Sequence, residues 1–386
     1  MKSIPRKILI ISTEFPPVPG GIGTHAYFLA NELHLLGWQV EVFTEQFELY
    51  EKEVAEFERT CKFTVYRAQP TPTITSLIIK LYRIFITIIR FKPDIIAGTG
   101  KHAVWFAVLM SKLTLKKCVA IGHGTEFTIA MSDFSKKVNR WAYSSADALI
   151  TVSDFTRDVA KKTGIRNNRC ITIYNGADGR FFRMLDKESV SSFKKSKGIE
   201  HSRIIITVGN VSDRKGQEYV IRALRKVSEK FHDTHYYCAG HSTVKDKLAS
   251  LARELGLADR VHFLGKVPAD ELLLWLNACD LYCLTSIVTD EGDFEGFGIS
   301  VIEAALCGKP AIESAEAGVA ESVIDGKTGL RVPPKDTHAI ADSILLLFED
   351  DELRQRLGHN ALQNALDNLT WEKVVKRYEE VLLNII

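Results

Sequence analysis

Short, almost uncharged apolar runs alternate along this chain with longer segments in which apolar residues recur every three or four positions. The first run, residues 7–12 (KILIIS), has the pattern of a strand buried on both faces of a parallel sheet. A proline-rich loop at 13–19 follows, and then Gly20, Gly21 and Gly23. A helix from about 24 to 36 comes next, with Ala26, Leu29, Ala30, Leu33 and Leu36 on one face, before a second strand at 39–44. That is one strand–helix–strand unit with glycines at its first turn. The alternation continues through strand-like stretches at 63–67, 94–97, 118–122, 148–152 and 170–174, separated by helical stretches at 76–90, 103–113, 136–144 and 154–163. Repeated units of this kind require a parallel sheet covered by helices on both faces.

Asn175-Gly176 closes the series. Residues 187–202 are polar, charged and without a clear strand, which marks an interdomain segment and sets a boundary near residue 190. A second series follows, with strand-like stretches at 204–208, 236–239, 261–264, 281–284 and 310–312 and helical ones at 218–231, 244–255, 271–277 and 337–347. The tail, 352–386, is helical in pattern throughout, with Trp371, Val375, Tyr378 and Leu382 on one stripe. The expected division is 1–190, 191–370 and a C-terminal helix at 371–386.

Composition narrows the function classes. A length of 386 residues fits two domains, and 46% apolar with 25% charged residues is ordinary globular composition. A net charge of +2, from 50 basic and 48 acidic residues, gives no global field to attract nucleic acid, so nucleic acid is dropped as a partner. The seven cysteines form no C-x2-C pair and no zinc-type spacing with histidine, so they are expected as reduced core residues in a cytoplasm and no metal is expected. Residues 1–6 run straight into a strand with no apolar leader, so no signal peptide is expected. The stretch 77–91 is apolar apart from Lys80, Arg83 and Arg90, which fall within an arc of roughly 80° on a helical wheel. Such a helix either lies in a membrane interface or packs internally with its long cations reaching to the edge.

The chemistry centres on Glu295-Gly296-Phe297-Gly298-Ile299-Ser300-Val301-Ile302-Glu303. Gly296 and Gly298 let the backbone approach a ligand, and a short helix from Ile299 would turn its free N–H groups toward an anion. Glu295 and Glu303 would stand roughly 12 Å apart in a fully helical segment, which suits the two ends of one extended ligand such as a sugar nucleotide. The alternative is that Glu303 caps or salt-bridges a packed helix while Glu295 is solvated. Arg214-Lys215-Gly216 follows the strand at 204–208, where ligands of open α/β sheets bind, and its two cations either neutralise a diphosphate leaving group or form a solvated turn. Gly20, Gly21 and Gly23 do not complete a dinucleotide fingerprint, so either a close ligand approach or a plain tight turn fits them. Gly98 to Lys101 (GTGK) fails the Walker pattern and is set aside. His123 lies between Gly122 and Gly124 at a strand end, its ring expected to be exposed for a substrate or held by its own loop.

Taken together, these elements resemble the retaining glycosyltransferases of family 4. The resemblance runs from Lys7 to the C-terminal helices and is most specific at Glu295-Gly296-Phe297-Gly298 with Glu303. Gly308-Lys309-Pro310 and Asp325-Gly326-Lys327-Thr328-Gly329-Leu330 follow in family order, and Arg214-Lys215-Gly216, Asn175-Gly176-Ala177-Asp178 and the N-terminal glycines stand at family-like positions. The resemblance implies an α/β, GT-B fold: two Rossmann-like, doubly wound parallel-sheet domains facing a cleft, with a C-terminal helix returning to the first domain. It also implies a nucleotide-sugar donor, held without cofactor or metal mainly by the second domain. Glu295 would bind donor sugar hydroxyls, Glu303 the ribose, Arg214 and Lys215 the diphosphate, and Gly21 and Gly23 would let the first domain close over it. His123 would touch the sugar, the backbone at Gly265, Lys266 and Val267 would face the base, and Phe297, Gly298 and Ile299 would complete the donor pocket. Glu295, His123 and Lys215 are the catalytic candidates. Asn210, Ala317, Ala320, Gly98-Thr99-Gly100 and the insert 288–293 depart from the family pattern and bear on donor and acceptor choice.

The expectation is a cytoplasmic, metal-independent, retaining hexosyltransferase at the inner membrane face. It would use a UDP-sugar such as UDP-glucose and a glycan or lipid-linked acceptor of polysaccharide or envelope synthesis, with 77–91 docking the first domain. Two rivals remain: a sugar-nucleotide epimerase of the same architecture, and a non-catalytic sugar-nucleotide binding protein.

Overall fold

The computed structural model describes residues 6–46, 51–69, 73–127 and 132–386. The stretch read for a leader, 1–6, lies outside them except for Arg6. The chain divides into two compact units, Met1–Asn175 with Trp371–Ile386, and Gly176–Thr370.

The first unit is built on β1 (Lys7–Ser12), β2 (Gln39–Glu45), β3 (Thr64–Ala68), β4 (Ile95–Thr99), β5 (Lys117–Gly122), β6 (Ala148–Thr151) and β7 (Cys170–Thr172). They form one parallel sheet in the order β3-β2-β1-β4-β5-β6-β7. Ile10 of β1 stands beside Val42 on one side and Ala97 on the other. Ile8, Leu9 and Ile10 are fully buried, as a central strand covered on both faces must be.

The second unit repeats the plan with β8 (Arg203–Val208), β9 (Thr234–Ala239), β10 (Val261–Gly265), β11 (Leu281–Leu284), β12 (Ala311–Ser314) and β13 (Gly329–Val332), ordered β10-β9-β8-β11-β12-β13. In both sheets the order reverses next to the first strand, between β1 and β4 and between β8 and β11. Connections leave the two strands at such a point in opposite directions, so the crevice outside their carboxyl ends is where open α/β sheets bind ligands. The fold therefore nominates the loops after β1 and β4 in one unit and after β8 and β11 in the other.

Two assignments in the second unit differ from the sequence reading, and in the first unit the helix Glu51–Glu58 had none. The segment 187–202 is not a linker: Lys187–Lys197 is a helix capped by Asp186, whose carboxylate accepts from Ser189 N at 2.7 Å, and Phe193 packs edge-on against Trp275 at 5.1 Å. That packing draws the helix into the second unit and moves the boundary from near 190 to Asn175/Gly176. The strand β13, at the sheet edge, had no assignment in the apolar pattern because Arg331 interrupts its four residues. Within the first unit, the C-terminal helix Trp371–Leu383 lies on the helix Gly21–Leu35. Trp371 stacks on Phe28 at 5.5 Å, and Trp38 Nε1 donates to Glu379 at 2.8 Å.

Candidate functional site

In the second unit the nominated loops bring four charged residues together. After β8, Gly209 (φ 128°) turns the chain and a short turn, Asp213–Lys215, ends at Gly216 (φ 71°). A Cβ on Gly216 would stand 1.9 Å from the Thr285 carbonyl oxygen, so only glycine lets this turn dock against the end of β11. Thr285 Oγ1 donates to Gly216 O at 2.9 Å and Ile287 N donates to Arg214 O at 2.8 Å, which fixes the turn to the β11 loop. That loop carries Glu295, whose Oε2 lies 2.6 Å from Lys215 Nζ and 2.6 Å from Arg214 Nη1. Arg214 Nε reaches Asp293 Oδ2 at 3.2 Å. Gly318 N donates to the Glu295 carbonyl at 3.0 Å and so braces its backbone.

Burial drives the Glu295 carboxyl up, but the Lys215 and Arg214 charges and their hydrogen bonds outweigh it and hold the group at about 2. For Arg214, burial lowers and Glu295 with Asp293 raise, and the net direction is up. Glu303 differs. It stands in the second turn of the helix Ile299–Leu306, and its carboxylate has no hydrogen bond or ion pair among the described residues. Burial pushes it to about 7, with Lys215 pulling the other way. A half-buried carboxyl without a partner is poised to accept ligand hydroxyls. Gly298, at φ 95°, opens this helix without a side-chain cap, and the Tyr282 hydroxyl donates to Ser300 Oγ at 2.7 Å in its first turn. Phe297 is 1% exposed and belongs to the packing, which leaves its backbone as the part able to meet a donor. Lys266 is exposed and Val267 half-buried in the loop after β10, and no hydrogen bond or ion pair joins them to the Glu295 cluster among the described residues.

The first unit has its own polar cluster at the nominated ends. Gly23 N–H is committed to the carboxylate of Glu14, and a Cβ on Gly20 would stand 2.2 Å from Glu14 Oε2. A Cβ on Gly23 would approach Phe15 N at 3.2 Å, whereas Gly21 faces open space. Glu14 is pushed up by burial, against the Gly23 hydrogen bond. The His123 ring is buried rather than exposed: its Nε2 is 2.7 Å from Thr99 Oγ1, and its backbone N–H donates to Glu126 Oε1 at 3.0 Å. Its flanking glycines do not bare it because the turn Thr125–Phe127 folds back over the strand end. His25, unassigned in the sequence, is fully buried, with its ring 4.8 Å from that of His123 and its Nε2 2.8 Å from the Tyr378 hydroxyl. Burial depresses both histidines, which are therefore neutral at neutral pH. The available signal for His25 was its place on the apolar stripe with Leu29 and Leu33. In the discarded GTGK run, the glycines serve packing: a Cβ on Gly98 would meet Val104 Cα at 2.7 Å.

The helix Ile74–Phe91 turns one of its cations, Lys80, inward, while Arg83 and Arg90 stay exposed. Lys80 pairs with Glu45, Arg83 lies 6.0 Å over the Phe43 ring and Arg90 pairs with Glu41 at 3.3 Å. Ile74, Ile78, Ile79, Tyr82, Ile86 and Ile89 face outward, Ile74 at 79% exposure. Among the described residues no helix is long and apolar enough to cross a membrane.

Residues 19–180 match the family model described as Glycosyltransferase Family 4, and 189–364 match Glycosyl transferases group 1. An uncharacterized glycosyltransferase of Methanocaldococcus jannaschii is 28% identical over 96% of both chains. The GDP-mannose-dependent alpha-(1-6)-phosphatidylinositol monomannoside mannosyltransferase of Mycolicibacterium smegmatis is 26% identical over 97% of this chain and 98% of that one. The crystal structure of Anabaena HepE in complex with UDP superposes with a TM-score of 0.83 at 21% identity, covering 98% of this chain and 100% of that one, and shares its fold. HepE has also been solved with UDP-glucose.

Proposed function

We propose, for a chain that is a glycosyltransferase of the family 4, GT-B type, that it moves a hexose from a UDP-sugar to a lipid-linked or glycan acceptor with retention and without a metal. The observation that carries this reading is the convergence of Lys215 and Arg214 on Glu295 at the switch point of the second sheet. Two fixed cations beside an uncapped helix start are the groups that stabilise a departing diphosphate, the guanidinium by bidentate contact and the ammonium as a point charge. Glu295 then receives donor sugar hydroxyls and the partnerless Glu303 the ribose. The leaving phosphate takes the acceptor's proton, so no protein base is required. The UDP preference is supported by the UDP and UDP-glucose complexes of HepE, and the GDP-mannose dependence of the mycobacterial relative makes GDP the comparison to run. Neither curated relative named above is an epimerase, and that rival has no support in them.

The first test is thermal stabilisation by UDP, GDP, ADP and their common sugars, with and without EDTA, since a ligand of the native state raises its melting point by mass action. A shift confined to the UDP set and indifferent to EDTA is expected. No shift with any of them would overturn the site.

The acceptor side of this reading is a membrane surface. The outward apolar face of Ile74–Phe91 lies in a stretch, 74–117, that carries eight cations and one acid in a chain of net charge +2. Apolar side chains framed by excess positive charge match an anionic bilayer at the cytoplasmic face. Sedimentation with phosphatidylglycerol vesicles is expected for the wild type and not for Ile78→Asp/Ile86→Asp; equal sedimentation of both would remove the docking role.

A further inference from the structure

The helix Ile299–Leu306 has two ends, and the one away from Gly298 borders a cavity of about 340 Å³. That size lies at the lower end of the roughly 300–1,000 Å³ of small-molecule pockets. One wall is apolar, from Met184 and Val190; three cations, Lys187, Lys194 and Lys309, line the rest, with Glu200 as the one acid in the lining. None of the three lysines forms an ion pair or side-chain hydrogen bond among the described residues, although the surface around them carries many such pairs, including Lys197 with Glu271 at 2.7 Å. Lys309 and Lys194 both act on the buried Cys279 thiol, which burial pushes up to about 12; the two ammonium groups pull it down and Asp280 pushes it up.

The walls are held before any ligand arrives. Asn277 Oδ1 accepts from Leu185 N at 2.8 Å and its Nδ2 donates to Arg183 O at 3.0 Å, which fixes the chain carrying Met184. Met184 lies across Gly308, where a Cβ would stand 3.2 Å from its sulfur and φ is 73°. The cap at Asp186 sets the start of the helix that supplies Lys187, Val190 and Lys194.

We infer that this cavity is a second binding site, separate from the Glu295 cluster, for a sugar monophosphate. Three unpaired ammonium groups against one carboxylate leave a net charge of +2, which matches a phosphate monoester dianion, and lysines bind phosphate as point charges. Glu200 accepts from sugar hydroxyls, and Met184 with Val190 covers the carbon face of the ring. A bare anion would leave that apolar wall uncovered.

Calorimetric titration of the full chain with glucose 6-phosphate, inorganic phosphate and glucose tests this. Wild type and Lys215→Ala are expected to bind glucose 6-phosphate alike, and Lys194→Ala/Lys309→Ala to bind it at least about tenfold more weakly. Val190→Trp, which fills the cavity and keeps every charge, is expected to lose binding with an unchanged melting point. No binding by the wild type overturns the site. Loss in Lys215→Ala with retention in the double variant places the ligand at the Glu295 cluster and overturns it as well. Inorganic phosphate binding as tightly as glucose 6-phosphate refutes the sugar assignment.

Discussion

In the proposed reading Glu295 and a diphosphate compete for the same two cations, and replacing the carboxylate by its amide separates binding from transfer. In the unliganded protein the Lys215 and Arg214 contacts at 2.6 Å hold the Glu295 carboxyl at about 2, down from 4.5 and against its own burial. At 1.36 kcal/mol per pKa unit that depression is worth about 3 kcal/mol. Burial opposes it, so the pull of the two cations is at least this large. The amide oxygen introduced by Glu295→Gln still accepts one hydrogen bond, so about half should be released to a bound diphosphate, or roughly tenfold tighter UDP binding. Sugar transfer should fall at least about a hundredfold, the usual cost of losing one charge-stabilising contact at the reacting centre. Calorimetry with UDP and a transfer assay with UDP-glucose, at one ionic strength, read the two effects. The variant also loses stability that the wild type has above the ordinary carboxylate range and gives up as pH falls toward 2, so folding is checked by circular dichroism. Weaker UDP binding by a folded Glu295→Gln would show that the carboxylate helps to hold the nucleotide, and the competition argument would fail.

Three other outcomes follow from single residues. Glu313, fully buried on β12 and hydrogen-bonded by Ser322 Oγ at 2.6 Å and Val323 N at 3.2 Å, is pushed by burial to about 8. Its stabilising form is the protonated one, so wild-type stability should fall as pH rises from 4.5 toward 8, by up to about 1.4 kcal/mol per pH unit, and Glu313→Gln should flatten that slope in melting curves; parallel profiles would contradict it. Ala317 sits at φ 60° and ψ −163°, a region essentially reserved for glycine, and relief of about 2 kcal/mol by Ala317→Gly, less about 1.5 for chain entropy and a buried methyl, should leave a small rise in melting temperature. A loss of more than about 1 kcal/mol would show that the backbone there is unstrained. Tyr378→Phe removes the 2.8 Å partner of His25 Nε2 while Nδ1 already lacks one, and should cost about 1–3 kcal/mol in denaturant unfolding; no change would mean that the hydroxyl is idle.

What could be seen in the sequence was what is local. Strand period, helix stripe and glycine turns are set within a few residues, so both sheets and the turns at Gly216 and Gly298 could be anticipated from the chain alone. The Arg214-Lys215 turn and Glu295 were legible for the same reason, each being a short motif after an apolar run, although nothing in either motif states that they meet across 80 residues. Their meeting is a property of sheet order: β8 and β11 become neighbours only once three strands have paired, and the switch point then brings their carboxyl ends together. The first unit's polar cluster was least legible. His25 and Tyr378 lie 353 positions apart, and Glu14, which occupies the start of the helix Gly21–Leu35, lies in a loop without periodicity. Lys80 of the helix Ile74–Phe91 and the lysines of the second-unit cavity show the converse. A cation's place on a helical wheel fixes which flank it marks and not whether that flank is wet: Lys80 turned inward to Glu45 while the isoleucines turned outward. Ion pairs, unlike apolar stripes, are decided by which carboxylate the fold brings near. The surroundings of Lys80, Lys194 and Lys309 therefore had to wait for the structure, whereas the turn that holds Lys215 was half written in the glycine beside it.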